Sequence, residues 1–176
     1  MTGACSARRP ALVVGLAPGK GKQHDHVVRQ AADFAARLRA RLIVATVDPT
    51  RYEVRRGQDG SVVASEIDPD LANEEVTEQF DPTLADHVAR ILAASSVPCS
   101  FHALAGDPAR ELAQLAEELD ALAIVVGTRK PGLRASAHDF FNGSVAVHLA
   151  HRQKRPVIVV PVDPALNGEP LTWEEQ

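Results

Sequence analysis

Four pieces of sequence between residues 122 and 162 decide the fold: Leu122-Ala-Ile-Val-Val126, Gly127-Thr128-Arg129-Lys130-Pro131-Gly132, Asn142-Gly143-Ser144 and Pro156-Val-Ile-Val-Val-Pro161. The first is a short apolar run that stops at Gly127, and the last is another. Between them a helix runs through Val145 and Leu149, so the stretch reads strand, glycine-bearing loop, helix, strand. Continuous apolar runs of this length mark strands covered on both faces. A loop that brings backbone N–H groups and a helix start to the end of such a strand is suited to an anion such as phosphate.

Working back toward the N-terminus, the same alternation repeats. Ala11-Leu-Val-Val-Gly-Leu-Ala17 is a first buried strand, and Pro18-Gly19-Lys20-Gly21-Lys22 must be a loop. From Gln23 to Arg39, Val27, Ala31, Phe34, Ala35 and Leu38 recur at helical spacing, opposite Arg29, Asp33 and Arg37. Leu42-Ile-Val-Ala-Thr-Val47 is a second strand. The polar, acidic stretch from Asp48 to Phe80 reads as a solvated insert, with Tyr52-Glu-Val54 and Ser61-Val-Val63 flanking an Asp59-Gly60 turn as a small hairpin. Thr83 to Ala94 is a helix, Pro98 to Leu104 a strand. Gly106-Asp107-Pro108 starts the next helix, with Asp at the N-cap, Pro in the first turn and Leu112, Leu115, Ala116 and Leu119 facing inward. Strands alternating with helices imply an α/β fold, parallel strands joined by right-handed crossovers with helices on both faces.

Composition sets bounds. The chain has 176 residues, 45% of them hydrophobic, which fits one domain over residues 11–162 between an N-terminal tail (1–10) and a polar C-terminal tail (163–176). The formal net charge of −4 argues against a broad nucleic-acid surface. No run is long enough for a membrane span or a signal peptide. Cys5 and Cys99 match no zinc or redox spacing, so a reduced, cytoplasmic setting is expected.

Three passages carry a family likeness: Gly106-Asp107-Pro108 through Leu119, Ile124-Val-Val-Gly-Thr-Arg129, and Gly143-Ser144-Val145 with Leu149 and Arg155-Pro-Val-Ile-Val-Val-Pro161. In order and spacing the chain resembles the universal stress protein family over about residues 11–162. The resemblance implies a flavodoxin-like (Rossmann-type) three-layer fold, with a five-stranded parallel sheet of order 3-2-1-4-5. It also implies a homodimer paired through the last strand, Val157 to Val160. Nucleotide-binding members carry Gly-x2-Gly-x9-Gly-Ser/Thr after strand four. Here Gly127 matches the first glycine and Gly143-Ser144 the last pair. Lys130 stands where the second glycine belongs, with Gly132 two places later, and the loop is three residues longer than the family spacing. The aspartate such members carry after strand one is replaced by Ala17, which cannot accept a hydrogen bond from a nucleotide or help hold a metal.

The resemblance thus implies an adenine nucleotide, ATP, with magnesium only as its companion. It would sit among Ala17, Val47, Gly127, Thr128, Arg129, Gly132, Gly143, Ser144 and Val145. The alternative is a member that has lost the nucleotide and works as a dimeric interaction scaffold. The sequence assigns no general base, so ATP hydrolysis would be weak at most.

Other motifs read more plainly. Gly15-Leu-Ala-Pro-Gly-Lys-Gly-Lys22 misses the P-loop spacing and lacks its hydroxyl, although Lys20 or Lys22 could reach a phosphate beside strand four. His24-Asp25-His26 places its histidines on different helix faces. His148 and His151 share a face without a carboxylate at ligand spacing. No Gly-x-Ser-x-Gly or cysteine-nucleophile signature occurs, and Cys99 reads as a small core residue.

Overall fold

The computed structural model describes residues 9–18, 22–57, 59–66, 75–128 and 145–162. The main-sheet strands are β1 (Ala11–Leu16), β2 (Arg41–Asp48), β6 (Cys99–Ala105), β7 (Ala123–Gly127) and β8 (Val157–Val160). They lie in the order β6-β2-β1-β7-β8, all neighbours parallel. Numbered within this sheet, that is the expected 3-2-1-4-5. The helices are α1 (Lys22–Leu38), α2 (Pro82–Leu92), α3 (Pro108–Glu118) and α4 (Val145–Arg152).

Period-two alternation along each buried strand divides the core in two. Leu12, Val14 and Leu16 of β1, with Leu42, Val44 and Val125, pack against Val27, Val28, Ala31 and Ala35 of α1 and Leu84 and Val88 of α2. Val13, Ile43, Ile124 and Val126 point the other way, onto Leu112 and Leu115 of α3 and Leu149 of α4. Helices therefore cover both faces, as continuous apolar strands require. Among the described residues, no helix is long and apolar enough to cross a membrane.

The helix starts follow from short-range chemistry. Asp107 caps α3 by accepting from the Arg110 N–H at 2.9 Å, with Pro108 in the first turn. Asp81 does the same for α2, accepting from Thr83 N–H at 2.8 Å, with Pro82 behind it. Helices α1 and α3 each end in a left-handed residue, Arg39 and Asp120, which turns the next N–H back onto the helix. Ala40 N–H bonds the Ala35 carbonyl and Ala121 N–H the Ala116 carbonyl, both at 2.8 Å.

The insert is more ordered than its composition predicts. It forms a second, antiparallel sheet, β3 (Arg51–Arg56), β4 (Val62–Glu66) and β5 (Glu75–Glu78), in the order β3-β4-β5. The expected hairpin is β3–β4, and Gly60 in its turn has a positive φ of 86°. The third strand departs from the reading of a solvated excursion. It arises because its backbone pairs with β4 (Val76 opposite Ala64) and Glu78 forms an ion pair with Arg51 across the sheet. Val62 and Ala64 pack on Ala103 and Ala105 of β6. The Gly60 carbonyl accepts the Ala103 N–H at 2.8 Å. The insert thus covers the β6 edge of the main sheet. At the opposite edge β8 has Val159 44% exposed.

Candidate functional site

In an open parallel sheet, ligands sit beyond the carboxyl ends of the strands where the strand order reverses. Here that point lies between β1 and β7. Ala17 follows β1 directly and is exposed. The β1–β2 pairing ends at Leu16 opposite Thr46, whereas β2 stays paired with β6 through Asp48 opposite Ala105. So β2 runs past β1, and Val47 lies on that step. Its side chain is buried in the α3/α4 core, which leaves it only backbone to offer.

Gly127 and Thr128 end β7. A Cβ at Gly127 would lie 2.8 Å from Val27 Cγ2 and 2.9 Å from Val162 Cγ2. The glycine is therefore required by the close approach of α1 and the end of β8. Thr128 N–H donates to the Val160 carbonyl at 2.9 Å, and Thr128 Oγ1 accepts from Val162 N–H at 2.9 Å. The two residues clasp the chain leaving β8. Thr128 has spent its backbone donor there and keeps its hydroxyl proton to give. Val145 opens α4 and packs against the second core. Arg129, Gly132, Gly143 and Ser144, with Lys20, lie outside the described residues. The structure therefore brings Ala17, Val47, Gly127 and Thr128 to one end of the sheet. With no acidic acceptor at Ala17 and Thr128 N–H engaged, the described residues offer a nucleotide strand-end backbone and one hydroxyl. Magnesium would depend on the phosphates, since among the described residues no group of three His, Cys, Asp or Glu could hold a metal ion.

A second set of polar groups lies at the same end of the sheet, on the β6 side, and sequence reasoning did not find it. Arg56 Nη2 donates to Glu53 Oε2 at 2.6 Å and to Glu111 Oε2 at 3.3 Å, while Nη1 donates to Glu118 Oε2 at 2.8 Å. Residues 53 and 56, three apart on a strand, would ordinarily face opposite ways. A bulge between Glu53 and Arg55 puts both on one face, opposite Ala64 and Val62. Burial, and then the charge of Glu53, push the Glu111 carboxyl above its usual range, with Arg56 opposing. The network joins β3 to α3 across more than 50 residues. The one signal in the sequence was Glu111 standing inside an otherwise apolar helix face.

The histidines follow their helix positions. His24 is buried and His26 exposed, as their spacing predicted. Asp25 Oδ1 accepts from His87 Nε2 at 2.7 Å, which ties α1 to α2. Cys99 packs against the first core, and burial pushes its thiol up to about 11, out of range for a nucleophile at neutral pH.

Residues 12–161 match the family model described as the universal stress protein family. The chain belongs to the universal stress protein family. Solved structures agree with the fold. A universal stress protein in complex with cAMP is 23% identical, with a TM-score of 0.58 over 89% of this chain and 100% of that one. A universal stress protein from Archaeoglobus fulgidus in complex with dAMP is 20% identical, with a TM-score of 0.53 over 87% and 98%. The universal stress protein UspA from Lactobacillus plantarum is 15% identical, with a TM-score of 0.54 over 88% and 99%. At these identities the likeness is one of fold. No curated protein matches the chain.

Proposed function

We propose that this universal stress protein binds an adenine nucleotide at the carboxyl end of its main sheet, between β1 and β7, and serves a cytoplasmic stress-response or signalling role. The observation that carries this reading is the strand order, which puts the switch point beside Ala17 and Gly127. Two proteins of the same fold, bound to cAMP and to dAMP, support it. ATP is the first nucleotide to test, with magnesium held through its phosphates. In this reading Arg129, Gly132, Gly143 and Ser144 meet the phosphates and the base end lies toward Val47. Hydrolysis is not required.

Thermal-shift titration checks it. At about 1 mM ATP or AMP, binding with a dissociation constant near 10 µM would stabilise the fold by about 2.7 kcal/mol. Loss of that shift in Gly143→Val supports the site, because a side chain there would block phosphate approach. No shift with any adenine nucleotide, with or without magnesium, favours the second reading. That reading is a nucleotide-free dimeric scaffold. It draws on Ala17, which lacks an acceptor, and on Thr128, whose N–H is bonded to Val160. In both readings the partner surface is the β8 edge, where an exposed apolar strand invites pairing with a second copy. Light scattering at micromolar concentration should give twice the single-chain mass, and Val159→Lys should return it to one.

A further inference from the structure

Between β3 and the first turn of α3 lies a cleft of 730 Å³, a volume typical of small-molecule sites. Its floor is Ala105 and Gly106, where β6 gives way to α3. Tyr52 and Glu53 form one wall, and Arg110 and Glu111 the other. None of the residues assigned above to the nucleotide lines it. Nucleotide binding and ligand binding in this cleft can therefore fail separately.

Glu111 is the group that calls for a ligand. Its side chain is only 9% exposed, and carboxylates so deeply buried are ordinarily fully paired. Oε2 has Arg56, but Oε1 accepts no hydrogen bond among the described residues. The cation nearest to Oε1 is Arg110 Nε at 3.9 Å, on a side chain that is largely in solvent. Oε1 borders Gly106, where a Cβ would lie 3.2 Å away and where φ is +129°. Glycine at this position leaves the oxygen uncovered toward the cleft. Arg56 has little more to give, because it is shared with Glu53 and Glu118. One guanidinium among three carboxylates leaves two negative charges in excess. Asp107 adds a further carboxylate at the cleft and Arg110 a further cation, while Arg51 is paired with Glu78. Burial and Glu53 hold the Glu111 carboxyl above its ordinary range, against the pull of Arg56 and Arg110. An exposed aromatic ring, Tyr52, stands at the wall, where it can lie against a cation.

We propose that this cleft binds a small organic cation of the amine or guanidinium class, whose N–H groups are accepted by Glu111 Oε1 and whose charge is offset by Glu53 and Glu111. The Tyr52 ring packs against it, and Arg110 swings out to admit it.

Agmatine, which carries both a guanidinium and an amine, is the probe. Calorimetric titration of the full chain at low salt should saturate at one per chain, with a dissociation constant below about 1 mM. Glu111→Gln should weaken it about tenfold or more by removing the anchoring charge. Tyr52→Leu should weaken it about threefold, and Arg110→Gln should tighten it about threefold by removing a competing cation. Absence of saturation by about 10 mM, or an affinity in Glu111→Gln within about twofold of the parent, overturns the proposal. Should Glu111→Gln fail to fold, the two exposed-residue variants decide it: unchanged affinity in both overturns it, and the paired loss and gain supports it.

Discussion

The carboxyl end of the main sheet has two sides that handle their polar groups in opposite ways. At the β1/β7 side, Gly127 and Thr128 look like ligand residues in sequence, yet they are engaged inside the fold. Gly127 lets α1 and Val162 approach, and Thr128 ties the chain after β8 to β7. At the β6/α3 side no motif announces a site, yet three carboxylates share one arginine and Glu111 lines a cleft. A motif residue can owe its identity to packing, while chemical capacity gathers where distant segments meet.

The largest effect should come from Arg56→Ala. Removing the guanidinium leaves Glu53, Glu111 and Glu118 without it, Glu111 deeply buried, so stability should fall by about 3 kcal/mol. Urea denaturation at neutral pH measures it, and a loss under about 1 kcal/mol would mean the carboxylates do not depend on this residue. Next, Gly127→Ala should cost about 2 kcal/mol, because the new Cβ meets two branched side chains with no room to turn. If stability were unchanged and nucleotide affinity alone collapsed, Gly127 would be a ligand residue and the contrast would break.

Acid should then act on both sides through one histidine each, His24 buried and His102 half-buried. Burial, then His87, lowers the His24 pKa against the pull of Asp25. Burial, then Arg56 and Arg41, lowers that of His102 against Glu118. Each folded value lies below the ordinary histidine value of 6.5. The unfolded chain therefore binds these protons more readily, and the stability concerned is present above pH 6.5 and lost as pH falls through the folded values. Melting temperature should drop below that pH, and His24→Gln and His102→Gln should each flatten part of the slope. Glu111 has the opposite sign: its raised folded value favours the fold at low pH, an advantage lost as pH rises through that value. The smallest effect should be that of Thr128→Val, about 1 kcal/mol for the lost bond from Val162 N–H. A Gly127→Ala and Thr128→Val double variant tests whether the two act as one clasp: they are adjacent, so their costs should not add.

Much of this was legible in the sequence because it rests on local rules. Four apolar runs gave β1, β2, β7 and β8, and Asp107-Pro108 marked a helix start within a residue. Strand β5 was hidden, since Glu75, Thr77 and Glu78 outnumber its single Val76, and it exists through pairing with β4. The Arg56 network was hidden for a related reason. It depends on a one-residue bulge in β3 and on the insert folding back over β6, and neither leaves a periodic trace. The glycine motif was legible as a place, while the packing that Gly127 permits was not, because Val27 and Val162 are far from it in the chain. Arg129, Gly132, Gly143 and Ser144 lie outside the described residues, so their part in the site rests on the motif.

Calorimetric titration of the purified full chain with ATP, in magnesium and again in a chelator, decides whether the β1/β7 switch point holds a nucleotide. Saturable binding is expected at one nucleotide per chain, with a dissociation constant in the range of about 1 µM to 1 mM, lost in Gly143→Val. Absence of saturable heat with ATP, AMP or cAMP at millimolar concentration would contradict it, and would leave the fold as a scaffold whose switch point serves only to hold its last strand.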